Sequence, residues 1–244
     1  DQTYKDYEIV VVDDGSTDGT DQMIKDAGYP LRYYWQENKG EATARNKLIE
    51  LAQGRYISFI DSDDILMPDA IERMIVFMNR ESEDVIVYGS YLRIDQHGNT
   101  CGRSKRKLYS GYITKYLFQD IIVHPNGSMF PKKVFQEVGN YDTSLKVCTD
   151  YNLELRASLK YRFVSLREPA FKHRRHSNNV SERSFANLKV ELDMLEDFYY
   201  NGGGKEVILR LRAMKRLSKE GYRAGRCAIN EGLQETGRQL LRQS

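Results

Sequence analysis

A chain of 244 residues, 40% of them hydrophobic, can bury one sizeable core with a small appendage. Its formal net charge of +2 gives it no polyelectrolyte character, so nucleic acid is not an expected partner. Three widely separated cysteines (Cys101, Cys148, Cys227) without Cys-x-x-Cys spacing argue against a disulfide framework or a zinc site and fit a reducing compartment. With no apolar run of spanning length and a polar opening segment, a cytoplasmic chain is expected.

In chain order, residues 7–12 read as a strand that ends in acid, Asp13-Asp14-Gly15-Ser16-Thr17-Asp18-Gly19. Ser16 or Thr17 is placed to cap a helix over 21–27, which Gly28 stops. Residues 31–35 form a short strand. The turn Glu37-Asn38-Lys39-Gly40 leads into a helix over 41–53 with Ala44, Leu48, Ile49, Leu51 and Ala52 facing a core. Residues 56–60 read as a strand buried on both faces, ending in Asp61, Asp63 and Asp64. A helix beginning at Pro68-Asp69 turns Ile71, Met74, Ile75 and Met78 inward, and residues 84–91 form a further strand before a turn at 95–99.

Residues 99–106 are polar loop, 110–118 helical and 124–130 extended, and 131–138 form a short helix closed by Gly139. A helix starts near Thr149, with Asp150 in its first turn, where the macrodipole favours a carboxylate. Residues 162–167 are a strand, followed by Lys172-His173-Arg174-Arg175-His176-Ser177. From residue 185 the pattern is helical only. Leu188, Leu192, Leu195, Phe198 and Tyr199 form one stripe, and a break at 201–204 precedes a second stripe of Val207, Leu211, Met214 and Leu217. Its other side carries Arg212, Arg216, Lys219, Arg223 and Arg226, either a solvated face or a patch for a membrane surface.

Strands alternating with helices imply an α/β fold with a mostly parallel sheet, whose ligands lie beyond the carboxyl ends of the strands. Two strands end there in paired Asp residues. Such charges repel one another and resist desolvation unless a cation or hydrogen-bond donors accompany them. Oxygen ligands of this kind suit a divalent metal with phosphate.

These segments together resemble a family-2 glycosyltransferase of the inverting type with the GT-A, Rossmann-like fold. The resemblance rests on the run from Gln2 through Asp13-Asp14-Gly15-Ser16 to Thr20, on Asn38-Lys39-Gly40 with Ala44-Arg45-Asn46, on Asp61-Ser62-Asp63-Asp64 with Met67-Pro68, and on Gly139-Asn140-Tyr141-Asp142 with Thr149-Asp150-Tyr151. It implies a GT-A domain over 1–184 with a mixed, mostly parallel sheet flanked by helices, and a helical extension over 185–244. By this resemblance Asp13, Asp14, Gly15, Lys39, Gly40, Arg45, Asn46, Asp61, Ser62 and Arg174 lie around the sugar nucleotide. Asp63 and His176 would hold Mn²⁺ or Mg²⁺, and Asp150 would be the general base.

The implied activity is hexosyl transfer from a nucleoside-diphosphate donor, a UDP-sugar by family expectation, to the hydroxyl of a glycan or lipid-linked acceptor in cell-surface polysaccharide synthesis. Peripheral contact with the inner face of a membrane, through the basic stripe, and a homo-oligomer through the terminal helices are further expectations. Two departures stand out. Thr149 occupies a position where the family has Glu, and the family's first strand and helix have no counterpart. A fragment of a longer chain, or a strand supplied by another segment, is therefore expected, with no pairing between the strands at 9–12 and 56–60.

Each site residue also has a plain structural reading. The Asp clusters are common turn formers, Asp150 a helix-start carboxylate, Arg45 a solvated charge, and His173, His124 and His97 surface or loop residues. Rival functions are a metal-dependent phosphotransferase using Asp13-Asp14-Gly15-Ser16, a nucleotidyltransferase, and a non-catalytic sugar-nucleotide-binding or oligomerisation module.

Overall fold

The computed structural model describes residues 2–81, 84–175 and 184–244. Its elements run β1 (Val10–Asp14), α1 (Thr20–Ala27), β2 (Arg32–Gln36), α2 (Glu41–Leu51), β3 (Tyr56–Ser58), β4 (Ile65–Leu66), α3 (Ala70–Arg80), β5 (Val85–Ile94) and β6 (Thr100–Arg103). Then come α4 (Thr114–Leu117), a 3₁₀ turn (Pro125–Gly127), β7 (Ser128–Pro131), α5 (Lys133–Val138), α6 (Thr149–Ser158) and β8 (Arg162–Arg174). Four helices finish the chain, α7 (Phe185–Tyr200), α8 (Gly204–Val207), α9 (Arg210–Asn230) and α10 (Gln234–Gln243).

β5 shows how the sequence builds the core. Successive strand residues point to opposite faces. Ile86 and Tyr88 accordingly join one buried cluster with Phe130, Phe163, Leu153 and Leu195. Val85 and Val87 join another with Met129, Phe171 and Met74 of α3. Both faces of the sheet are thus covered, the first by α2, α4, α5, α6 and α7 and the second by α3. At two points the backbone comes so close that no side chain fits. A Cβ on Gly89 would lie 2.8 Å from the Ala170 methyl, and one on Gly127 2.8 Å from the Phe171 ring.

The large sheet is mixed, in the order β3-β7-β5-β8-β4 with β6 on β5. β5 and β8 are parallel, whereas β3–β7, β5–β7, β4–β8 and β5–β6 are antiparallel. This is less parallel than strand–helix alternation predicts, because a short loop suffices for an antiparallel neighbour while a parallel one needs a full crossover. β1 and β2 form a separate parallel pair. Among the described residues β1 and β3 do not pair, in line with the expectation from sequence. Glu8, just before β1, still reaches across, its carboxylate accepting from the Gln53 and Gly54 amides.

Several local readings are corrected. β3 closes at Ser58, and Ile60 is exposed rather than buried. Gly19, in the left-handed region, precedes α1, and the Asp18 carboxylate accepts from the Thr20 amide and hydroxyl, so neither Ser16 nor Thr17 is the cap. The helix predicted over 110–118 is one turn, α4, and β8 runs on to Arg174. Val207 and Leu211 point to solvent, because the chain turns between α8 and α9 and the apolar spacing does not run through one helix. Arg216 is buried, pairing with Glu191 of α7 and Glu220, and Arg223 also pairs with Glu220. The basic stripe is therefore partly an internal ion network joining α7 to α9. No described helix is long and apolar enough to cross a membrane.

Candidate functional site

α2 organises the site. Gly40 stands at its N-terminus with φ +88°. The Asp14 carboxylate, at the end of β1, accepts from the Lys39 and Gly40 amides (2.9 and 2.8 Å) and from Gln36 Nε2 (2.7 Å). A carboxylate here meets both the positive end of the helix dipole and two amides without helical partners. Gly15 follows with φ +89°, and a Cβ there would lie 2.8 Å from the Asn38 nitrogen, so the turn admits glycine only. Asp13 is buried and accepts from the Ser16 amide (2.7 Å) and the Tyr33 hydroxyl (2.6 Å). Burial opposes its charge, yet these bonds hold its pKa below the ordinary carboxylate value. Asp13 thus shapes the loop from inside, and Asp14 faces the start of α2.

Five residues into α2, Arg45 is 4% exposed, a cation held where charge is costly. Its guanidinium pairs with Glu41 (2.6 Å), Asp61 (3.0 Å) and Asp150. It lies against the rings of Phe59 (6.0 Å) and Tyr141 (5.5 Å). Burial lowers its pKa, but the surrounding Tyr141, Glu41 and Asp61 outweigh this and hold it above the ordinary value. Asp14 meets the amides at the head of α2, and Asp61 meets the guanidinium of Arg45 on the same helix. Both strand-end acids are therefore referenced to one rigid element. The neighbouring Asn46 exchanges two hydrogen bonds with the Tyr141 backbone (both 2.9 Å), fixing that loop.

In the loop after β3, the Asp64 amide donates to the Asp61 carbonyl to close a turn with Ser62 exposed at its tip. One ligand oxygen each from Asp61, Asp63 and Asp64 lies within 4.8 Å of the others. Asp64 is the buried member. It accepts from Asn126 Nδ2 (2.6 Å) and the Arg174 amide (2.8 Å), and its other contact is His173 Nδ1 (3.2 Å). Burial raises its pKa, but the bonds from His173, Arg174 and Asn126 bring it below the ordinary value. Asn126 also donates to Asp61 (2.9 Å). Arg174 grips the Asp63 carbonyl (2.8 Å) and the carbonyls of Asp95 and Gln96, so it braces the acidic loop. An all-oxygen set on a braced turn fits a hard divalent cation; within the fold Asp64 already accepts from Asn126 and the Arg174 amide, and Asp61 from Arg45 and Asn126.

Asp150 opens α6, preceded by Cys148 at φ 62°, an uncommon conformation for a side-chain-bearing residue. Arg156, lower on the helix, donates to the carbonyls of Val138, Gly139 and Asn140, holding the loop that carries Tyr141.

The structure thus brings Asp61, Asp63, Arg45 and Asp150 together, with Asp14, Gly15, Lys39 and Gly40 at the head of α2. His176 lies outside the described residues. Sequence reasoning missed Asn126, fully buried between the two Asp side chains, and undervalued His173; the segment His124-Pro125-Asn126 reads only as extended chain. A cavity of about 620 Å³ lies beside α2, lined by residues including Gln36, Lys39, Asn46, Lys132 and Asn140. Asp14, Asp61, Asp63, Asp64 and Asp150 are not among its lining residues.

Comparison with known proteins supports one lineage. The profile of glycosyl transferase family 2 matches residues 1–139. An uncharacterized glycosyltransferase of Rickettsia prowazekii is 30% identical over 85% of this chain and 67% of its own length. The chondroitin synthase of Escherichia coli is 30% identical over 74% of this chain but only 26% of its own length. The chain spans about a quarter to two thirds of the length of these curated relatives. Among solved structures, S. aureus TarS in complex with UDP superposes with a TM-score of 0.60 at 17% identity, covering 93% of this chain and 76% of that one. The mannosyltransferase PcManGT from Pyrobaculum calidifontis, in complex with GDP-Man and Mn²⁺, gives 0.62 at 17%, covering 98% and 73%. These two likenesses establish the GT-A type of fold.

Proposed function

This chain belongs to glycosyl transferase family 2, and from that premise we propose that it transfers a sugar from a nucleoside diphosphate to an acceptor hydroxyl with inversion at the anomeric carbon. The observation that carries the reading is Arg45, a single buried cation that ties Asp61, on the acidic loop, to Asp150, on the opposite helix. A donor-side carboxylate and a base are thereby set at one point.

The nucleoside lies along α2 in this reading. Asp14, held by the Lys39 and Gly40 amides, meets its base end, and Asp61 its ribose. Lys39 adds a positive charge toward the diphosphate, and Gly15 and Gly40 let the backbone approach. Asp61 and Asp63 would hold Mn²⁺ or Mg²⁺, which when bound neutralises charge developing on the departing diphosphate. Asp150 accepts the acceptor hydroxyl's proton as that oxygen attacks the anomeric carbon. Base assistance of this kind contributes about 10²–10⁴-fold in rate. Paired with Arg45, Asp150 is held in one orientation, and the acceptor hydroxyl takes a place beside that pair. A UDP-sugar donor and a glycan or lipid-linked acceptor follow from the family.

A transfer assay with Mn²⁺, comparing parent with Asp150→Asn, tests the assignment. A fall in kcat of about 10²–10⁴-fold with KM for the donor little changed is expected. Undiminished transfer by Asp150→Asn removes Asp150 from the reaction.

A further inference from the structure

One turn beyond Asp150 on α6 stands Glu154, and no step above uses it. Residues four apart lie on the same helix face, and the charge of Arg45, which pairs with Asp150, also acts on Glu154. Glu154 is 1% exposed, and neither of its carboxyl oxygens has a hydrogen-bond partner among the described residues. The Tyr141 hydroxyl, on the ring that flanks Arg45, is likewise buried and without a partner. A buried carboxyl without a hydrogen-bond partner is costly and calls for a role.

We propose that Glu154 is a positioning residue that sets how firmly Arg45 holds Asp150. This rests on the reading of Asp150 as the base. Arg45 carries one positive charge against Glu41, Asp61 and Asp150. A fourth carboxylate would compete for it. While Glu154 is the neutral acid, Arg45 stays on Asp150. Once Glu154 loses its proton, the guanidinium is drawn inward and its grip on Asp150 loosens. A carboxylate less tightly paired is the stronger base.

The groups acting on Glu154 are Arg45 of α2, Arg106 of the loop after β6, Tyr88 of β5, Tyr141 before α6 and Tyr151 on its own helix. Burial dominates, and although Arg45 and Arg106 oppose it, the Glu154 carboxyl is pushed up to about 8. The tyrosines are themselves pushed upward by burial and stay neutral across this range. Ionisation of Glu154 is then the local event expected between neutral and mildly alkaline pH.

The test follows the ¹⁵N guanidinium resonances of Arg45, assigned by their loss in Arg45→Lys, from pH 6.5 to 9.5 in parent, Glu154→Gln and Glu154→Leu, beside the pH profile of kcat. In the parent the Arg45 signals shift with a midpoint near 8, and kcat rises by about three- to tenfold through the same pH. In Glu154→Gln, which mimics the neutral acid in shape and polarity, the signals stay put and kcat keeps the parent's low-pH value without that rise. Glu154→Leu shows the same flat profile if it folds. An unchanged inflection in Glu154→Gln, or Arg45 signals in the parent that ignore pH over this range, overturns the proposal. Failure of the base assignment alone is separately visible, because Asp150→Asn would then retain transfer while the Arg45 signals still tracked Glu154.

Discussion

Replacing Arg45 by methionine keeps the stem's volume and deletes the charge. The consequence follows from what surrounds it. The Arg45 side chain is 5% exposed, while Asp61 and Asp150 are 44% and 29% exposed and Glu41 57%. Removing one partner of a fully buried pair costs about 3–5 kcal/mol. The carboxylates here keep part of their water, so a loss nearer 2–3 kcal/mol is expected. For a chain of this size each kcal/mol moves Tm by roughly 2–4 °C, which gives a fall of roughly 4–12 °C. The loss stems from carboxylates crowded without a cation. Urea unfolding followed by circular dichroism at pH 7 measures it. A loss under about 0.5 kcal/mol refutes the view that Arg45 neutralises this cluster.

Gly15→Ala places a methyl in a left-handed turn against the Asn38 backbone, which has no rotamer with which to yield. A cost of about 1–3 kcal/mol in urea unfolding is expected, with weakened nucleotide binding. Wild-type stability in that variant would mean that the turn can be rebuilt. Asp64→Asn tests the brace behind the acidic loop. The folded pKa of Asp64 is depressed, so its ionisation contributes stability that is complete above its ordinary value of 3.8 and is lost as pH falls through the lower folded value. The variant should lose stability at pH 7 and fall less than the parent between about pH 5 and pH 2. Parallel acid-unfolding curves would rule out the depressed pKa.

How much of this was legible in the sequence depended on the range of the physics involved. The acids ending β1 and following β3, the glycine at the head of α2 and the place of Asp150 in the first turn of α6 are local facts, readable from composition and spacing. What Arg45 does is not local. Position 45 sits within a helix whose apolar pattern gives no sign that a cation is buried there, and, Glu41 apart, its carboxylate partners Asp61 and Asp150 are distant in the chain. The same holds for Asn126 and His173, which meet Asp64 only because β7 and β8 flank the acidic loop in space. Arg174, which the resemblance sets at the sugar nucleotide, also donates from its guanidinium to backbone carbonyls of the Asp63 loop and the β5–β6 turn, partners distant in the chain. That the sheet is mixed followed from the resemblance, whereas how many of its pairings are antiparallel was hidden, because strand direction depends on connection geometry, which a residue pattern does not encode.

The most direct test of the account is calorimetric titration of a nucleoside diphosphate panel with and without Mn²⁺, on the parent, Asp14→Ala and Asp63→Ala. The account predicts that one diphosphate binds the parent only when Mn²⁺ is present, and that each substitution weakens it by at least about tenfold, about 1.4 kcal/mol. Equal affinity in all three proteins, unaffected by Mn²⁺, would contradict it.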